Sequence, residues 1–174
     1  MTADPTSDGT QRIAEITLDE RSVVSRSAEI EAERTGAIGD LLHANHFAPA
    51  SGRTGPFHLH LALAENRLAM EIRALPDASR ETIVLPLRPF RRIIKDYFLV
   101  CESYFKASRG GNLGQVEAID MGRRGLHDEG SELLIELLAD KVTIDHETAR
   151  RLFTLICVLH LKGAAHALGP HRTS

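Results

Sequence analysis

Apolar and polar residues alternate along residues 57–64 and again along residues 68–73, which is typical of β-strands with one buried face. A turn around Glu65 and Asn66 joins these two predicted strands into a hairpin. Only a two- or four-residue turn keeps the apolar residues of both strands on one face, because an odd shift would place them opposite polar residues. The same register predicts two pairs on the other face, namely His60 opposite Glu71 and His58 opposite Arg73.

The remaining apolar residues predict two more strands and four helices. The strands are residues 12–20 and 82–87, and residues 48–56, rich in proline, glycine and serine, are predicted as a loop. The helices are residues 27–47 with Ser27 as N-cap, residues from Pro89 to the glycines at 110–114, residues 116–141, and residues from the N-cap Asp145 to about Leu161. A glycine at 122, 125 or 130 could interrupt the third helix. The last helix is apolar almost all round, so we expect it at the centre of the core.

Strands in the N-terminal half followed by helices, without strict βαβ alternation, predict an α+β fold. We expect a mostly antiparallel sheet of about four strands packed on one face against about four helices, with the C-terminal helix buried. Residues 1–10 are predicted to be a flexible leader, residues 11–163 a single domain, and residues 164–174 a C-terminal tail.

Composition and charge are those of an ordinary globular protein. The chain has 174 residues, a net charge of −3, 43% hydrophobic and 26% charged residues, which argues against a disordered chain and a membrane protein. It has no run of about 18 apolar residues, and its polar N-terminus lacks the pattern of a secretory signal, so we expect a cytoplasmic protein. Cys101 and Cys157 both fall in apolar helical patterns, so reduced core thiols are predicted rather than a disulfide.

The segment RPFRRIIK places four cations at the predicted start of a helix: Arg88, Arg91, Arg92 and Lys95. Each cation there is unfavourable by about 0.3–1 kcal/mol, because a helix N-terminus already carries a partial positive charge. A phosphate, a carboxylate ligand or an acidic stretch of protein would offset this charge. These four residues, together with Arg123, are therefore candidate anion ligands. The alternative is that the arginines pair with Asp or Glu on the protein's own solvated surface.

Residues 117–131 are dense in side chains that can take part in catalysis. Residues spaced by three or four positions share one face of a helix, and this places Asp120, Arg124, His127 and Ser131 together. His127 could act as a general acid or base held by a carboxylate, with Asp120 and Arg124 as the other candidate catalytic residues. Ion pairs along a solvent-exposed helix are the alternative interpretation of the same pattern.

Metal and nucleotide sites are not predicted, and no cofactor is identified. His58 and His60 share a strand face, but two ligands are too few for a zinc site and no local motif adds more. His160 lies in the apolar last helix and is interpreted as a core histidine. The sequence has no P-loop and no dinucleotide-binding glycine motif, and its net acidic charge argues against a nucleic-acid partner.

Three runs of sequence carry a family resemblance: FRRIIKDYFLVCESYFKA, EAIDMGRRGLHDEGSELL and TARRLFTLICVLH. Together they resemble Uncharacterised Protein Family 0262, a group of small alphaproteobacterial proteins, over nearly all of residues 13–163. The resemblance implies a bacterial cytoplasmic protein with one domain. It brings no activity, cofactor or catalytic residue with it, so the function has to be inferred from the residues themselves.

Two classes of function remain open. The first is a binding protein whose arginine-rich helix start takes a phosphorylated or otherwise anionic small molecule, or an acidic protein partner. The alternative is a small enzyme that acts on an anionic metabolite with His127 as acid or base. The enzyme hypothesis is favoured if Arg88, Arg91 and Arg92 line one pocket with residues 120–127, and disfavoured if they lie on separate surfaces.

Overall fold

A computed structural model of the chain describes residues 9–20 and 28–168, with side chains through residue 160. The helices are α1 (Ala28–His43), α2 (Arg91–Gly110), α3 (Leu113–Leu138) and α4 (His146–Leu168). The strands are β1 (Ile13–Leu18), β2 (Phe47–Pro49), β3 (Phe57–Ala64), β4 (Arg67–Ala74), β5 (Arg80–Pro86) and β6 (Val142–Ile144). A 3-10 turn over Arg88–Phe90 leads into α2. These elements confirm the predicted α+β class.

The main sheet has the strand order β1-β3-β4-β5. The pairs β3–β4 and β4–β5 are antiparallel, whereas β1 lies parallel to β3, so the sheet is mixed. The predicted hairpin register is confirmed, since His60 lies opposite Glu71 and His58 opposite Arg73. Leucine, isoleucine and methionine side chains of β3, β4 and β5 are buried on one face, which leaves the polar side chains on the other.

Helix α4 lies at the centre of the helical layer, as its apolar sequence predicts. Residues 152–159 are all buried, and the helix packs against α1, α3 and β3. Asp145 caps the helix, because its carboxylate accepts a hydrogen bond from the Thr148 amide at 2.8 Å. The helical backbone continues through Gly163 to Leu168, beyond the predicted end near Leu161. Among the described residues, no helix combines the length and apolar character needed to cross a membrane.

The two short strands β2 and β6 were not predicted. They pair with each other antiparallel. The sequence predicts the end of a helix and the start of a loop at β2, and it assigns no element at β6, between the helix over residues 116–141 and the N-cap Asp145. Each strand has three residues, too few to show an alternating pattern. They are specified instead by tertiary packing, since Phe47 and Val142 are both buried in the core.

Helix α1 ends at His43, before the predicted end at residue 47. The Asn45 side chain explains this end, because its amide donates to the carbonyls of Leu41 at 2.8 Å and Ile13 at 2.9 Å. Its Oδ1 accepts from the Ile13 amide at 2.7 Å, so the end of α1 is tied to the start of β1. The predicted N-cap Ser27 lies outside the described residues, as do residues 1–8 and 169–174.

Helix α3 is continuous through all three of its central glycines, Gly122, Gly125 and Gly130. It begins at Leu113 because the Asn112 side chain accepts a hydrogen bond from the Gln115 amide at 3.0 Å. A Cβ at Gly130 would come within 2.4 Å of the Phe153 ring. The backbone of α3 therefore approaches α4 closely at a position where glycine provides the space.

Candidate functional site

Helices α1, α3 and α4 border a groove of about 340 Å³ with largely charged walls. Four residues that the sequence singles out line it from α3, namely Asp120, Arg123, Arg124 and His127. Its other polar lining residues are Glu33 and Asp40 of α1, Tyr104 of α2, and Arg150, Arg151 and Thr154 of α4. This cavity, the α1–α3–α4 groove, thus brings together four arginines and three carboxylates.

Arg123 is bound firmly into one wall of the groove. Its Nη1 donates to Glu33 at 3.0 Å and its Nη2 donates to Asp120 at 2.9 Å. The guanidinium carbon lies 4.5 Å from the centre of the Tyr104 ring. Glu33 also accepts a hydrogen bond from the Tyr97 hydroxyl at 3.1 Å. These partly buried contacts join α1, α2 and α3, so Arg123 shapes the groove.

His127 lines the groove with its imidazole largely buried. The ring packs against Tyr97, with centroids 5.0 Å apart, and against Phe153, with centroids 6.3 Å apart. Burial, together with the positive charges of Arg150 and Arg123, lowers the pKa of His127 to about 4. The imidazole is therefore neutral at pH 7, which makes it a weak base and leaves no imidazolium proton to donate.

Thr154 is the hydrogen-bond partner of the His127 imidazole. The Thr154 hydroxyl donates to the carbonyl of Arg150 at 3.1 Å. Its oxygen also lies 3.2 Å from His127 Nε2, and the direction of this hydrogen bond depends on the tautomer of the imidazole.

Arg150 has the fewest protein partners among the arginines of the groove. Its Nε, like that of Arg123, is buried without a hydrogen-bond partner in the described part of the chain. Its Nη1 lies 3.7 Å from Glu147, which is too long for a hydrogen bond. Arg151 is also loosely paired, at 3.4 Å from Glu147 and 3.8 Å from Asp40. A small anion in the groove could accept the hydrogen bonds that Arg150 does not make within the protein.

Arg150, Arg151 and Thr154 line the groove but are not predicted as site residues from the sequence. The segment that contains them is dominated by the apolar run LFTLICVLHL, so it is assigned to the core. One signal was available, because Arg150 and Thr154 are four residues apart and mark a polar strip on an otherwise apolar helix. Polar side chains on a buried helix need hydrogen-bond partners or contact with solvent. Here Arg150 and Thr154 line the α1–α3–α4 groove.

The arginine-rich helix start does not contribute to the groove. Pro89 lies in the 3-10 turn, so α2 begins at Arg91, with no acidic residue in its first turn and no side-chain cap. Arg92 pairs with Asp96 at 3.3 Å and also with Glu129. For Arg92, the structure therefore has the alternative arrangement, in which the arginine pairs with carboxylates on the protein's own surface. The other cations are exposed and have no carboxylate within 4 Å in the described part of the chain: Arg88, Arg91 and Lys95.

Other residues singled out in the sequence lie elsewhere. Ser131 is fully buried and donates to the His127 carbonyl at 2.5 Å, so it does not face the groove. Burial raises the pKa of the Cys101 thiol to about 11 and that of Cys157 well above its usual value, so these free thiols stay protonated. Within the described ranges, no group of three or more His, Cys, Asp or Glu residues could hold a metal ion.

Comparison with known proteins identifies close relatives over most of the chain. A family model described as Uncharacterised protein family (UPF0262) matches residues 10–162. A UPF0262 protein of Rhodospirillum rubrum is 57% identical over 154 residues, covering 88% of this chain and 95% of the relative. UPF0262 proteins of Rhodopseudomonas palustris and Paramagnetospirillum magneticum are 54% and 51% identical, covering 90% and 88% of this chain and 96% and 98% of those relatives. No solved structure matches the chain. The match to the family model and the identity to these full-length relatives show that this chain belongs to uncharacterised protein family UPF0262.

Proposed function

We propose that this protein binds a small molecule carrying a phosphate or carboxylate group in the α1–α3–α4 groove. The observation that carries the proposal is Arg150, which lines the groove and, among the described residues, has no carboxylate closer than Glu147 at 3.7 Å. The Nε atoms of Arg150 and Arg123 are both buried without a hydrogen-bond partner in the described part of the chain. An anion in the groove would accept charge-assisted hydrogen bonds from the terminal nitrogens of Arg150, which favours binding.

The four arginines have different roles in the proposed site. Arg123 is already bound to two carboxylates, so it supports the wall and adds positive potential. Arg150 and Arg151, whose carboxylate contacts are 3.4 Å or longer, supply donors to the ligand. Arg124 is 71% exposed and lies 3.0 Å from Asp120, so it can turn toward an incoming anion at little cost.

The charge and size of the groove support a small ligand. Four arginines face three carboxylates, so the lining has a net positive charge while His127 is neutral. A cavity of about 340 Å³ lies at the lower end of the usual range for small-molecule sites. A metabolite of a few carbon atoms with one or two anionic groups fits this description.

Binding is favoured over catalysis because of the state of His127. With its pKa lowered to about 4, the imidazole is neutral at pH 7 and a poor proton acceptor. The enzymatic hypothesis, with Asp120 and Arg124 as partners of His127, requires a bound anion to bring that pKa back toward neutrality. The proposed ligand is therefore a precondition of the enzymatic hypothesis, and the binding function comes first.

The helix start at Arg88, Arg91, Arg92 and Lys95 is a second candidate surface, suited to an acidic protein partner. Its support is that three of these cations are exposed without a nearby carboxylate in the described part of the chain.

We propose a cytoplasmic location. This proposal is supported by the two buried free thiols, Cys101 and Cys157, which suit a reducing compartment.

The proposal is tested by calorimetric titration of the purified protein with phosphate, sulfate, citrate and sugar phosphates at constant ionic strength. We expect at least one of these anions to bind and to raise the melting temperature. Arg150→Gln should weaken that binding by about 10-fold or more, because it removes a charge-assisted hydrogen bond.

Arg91→Gln is the matched control, since it removes the same charge from an exposed position outside the groove. It should leave the affinity within about 2-fold of wild type. If Arg91→Gln abolished binding while Arg150→Gln preserved it, the site would be the helix start and the groove proposal would be wrong. Absence of binding by every anion in the set would also contradict the proposal.

A further inference from the structure

We propose a second binding site on the face of the sheet that the helices do not cover. There Arg73 and Arg80 bind the phosphate or carboxylate group of a small polar metabolite, and His60 supplies a further hydrogen bond. The cavity at this face measures about 590 Å³ and shares no lining residue with the α1–α3–α4 groove. Binding at this site can therefore be tested independently of binding in the groove.

The strand register arranges polar side chains in rows across the open face. One row runs over all four strands as Glu15, His58, Arg73 and Arg80. Arg73 and Arg80 lie directly opposite each other on neighbouring antiparallel strands. Like charges in this position destabilise strand pairing, so an unneutralised pair of arginines needs an explanation.

No carboxylate in the described part of the chain lies within 4 Å of either arginine. Glu81 lines the same cavity, but it is paired with Arg53 at 3.2 Å and accepts a hydrogen bond from Ser51 at 2.5 Å. An oxyanion between Arg73 and Arg80 would neutralise their repulsion and accept charge-assisted hydrogen bonds from both.

A chain of hydrogen bonds prepares His60 as a donor to the same ligand. Arg73 Nη2 donates to His58 Nδ1 at 3.5 Å, so His58 carries its proton on Nε2 and donates to Thr17 Oγ1 at 2.9 Å. The Thr17 hydroxyl donates in turn to His60 Nδ1 at 2.7 Å. The proton of His60 is then on Nε2, which has no partner among the described residues, and His60 lines the cavity.

Glu71 and Thr82 narrow the class of ligand. They lie opposite each other in the neighbouring row and line the cavity beside the two arginines. A carboxylate here would repel a bare anion, but it accepts hydrogen bonds from a hydroxyl or amino group. The ligand class that fits both features is a small metabolite with an oxyanion group next to a hydroxyl or amino group.

The site is tested by following the ring signals of His58 and His60 by NMR in the full-length protein. Glycerol 3-phosphate and malate, which each carry an oxyanion group and a hydroxyl group, are titrated separately at constant pH and ionic strength, so that the two arms distinguish a phosphate site from a carboxylate site. We expect saturable shifts of both histidines with at least one probe. Arg80→Gln should weaken this binding by about 10-fold or more, and the variant should fold normally because Arg80 is exposed.

Arg67→Gln is the matched control, because Arg67 is on the same face of β4 as Arg73 but about 20 Å away along the strand. This variant should bind like the wild type, and so should Arg150→Gln in the groove. Shifts that do not saturate, that appear equally with chloride, or that persist unchanged in Arg80→Gln would overturn the proposal.

Discussion

The chemical state of His127 is decided by residues distant in the sequence. Tyr97 and Phe153 enclose the imidazole, and its Nε2 shares a hydrogen bond with the Thr154 hydroxyl. The nearby Asp128 favours the charged form, but burial and the arginine charges have the larger effect, so the pKa falls to about 4. A residue that looks like an acid–base catalyst in the sequence is therefore a neutral, buried imidazole at pH 7 in the folded protein.

This state predicts a pH-dependent stability. The unfolded chain protonates His127 near its ordinary pKa of 6.5, whereas the folded protein does so only near 4. Between these values the unfolded state binds more protons, so the free energy of unfolding falls as the pH is lowered through this window. From pH 7 to pH 4.5, the wild type should lose about 2 kcal/mol more than His127→Gln, measured by urea denaturation. Equal losses in the two proteins would show that His127 is not buried in its neutral form.

The candidate residues on α3 could be predicted because helical spacing alone places Asp120, Arg124 and His127 on one face. The groove itself could not be predicted, since its other walls come from α1 and α4 through tertiary packing. Ser131 fits the same spacing but is fully buried, and spacing does not reveal which part of a helix face is covered.

At the scale of elements, the glycines of α3 show how one helix combines packing with exposed surface. Gly130 leaves no room for a Cβ, which would lie within 2.4 Å of the Phe153 ring. A Cβ added at Gly125 would have no atom within 4 Å apart from its chain neighbours and the nearby backbone of α3. The two glycines therefore differ in the space around them, although both lie in the interior of one helix.

Substituting each glycine by alanine should have opposite effects. Gly130→Ala should lower the free energy of unfolding by about 1–3 kcal/mol, because the added methyl group displaces the buried Phe153 ring. Gly125→Ala should raise it by about 0.5–1 kcal/mol, because alanine favours the helix and meets no obstacle. Chemical denaturation of both variants measures these changes. If Gly130→Ala were more stable than the wild type, the backbone of α3 would have to lie farther from the Phe153 ring than it does in this structure.

The local pattern of apolar and polar residues predicts the long helices and strands, but it does not predict the short strands. The hairpin β3–β4 and its register could be predicted because eight-residue strands show a clear alternation. The end of α1 and the strands β2 and β6 depend on Asn45, Phe47 and Val142, whose partners lie elsewhere in the chain. Such partners are fixed only by the assembled fold.

At the scale of the whole molecule, the fold presents two separate polar cavities. The sheet buries one face under the helices, so its open face carries the row with Arg73 and Arg80. The helical layer has its own groove, where the polar strip of α4 meets α1 and α3. Both cavities contain arginines without close carboxylate pairing in the described part of the chain, and such arginines favour the binding of anions.

The most direct test of that account is the pKa of His127, measured by NMR of its ring with and without sulfate at matched ionic strength. Sulfate stays doubly negative throughout this pH range, so it adds a fixed charge. If an anion binds beside Arg150, it must raise the pKa of His127 above its value of about 4, typically by about 1 unit or more. Arg150→Gln should abolish the increase. A pKa of His127 that stays the same at saturating sulfate and in chloride alone would contradict anion binding in the groove.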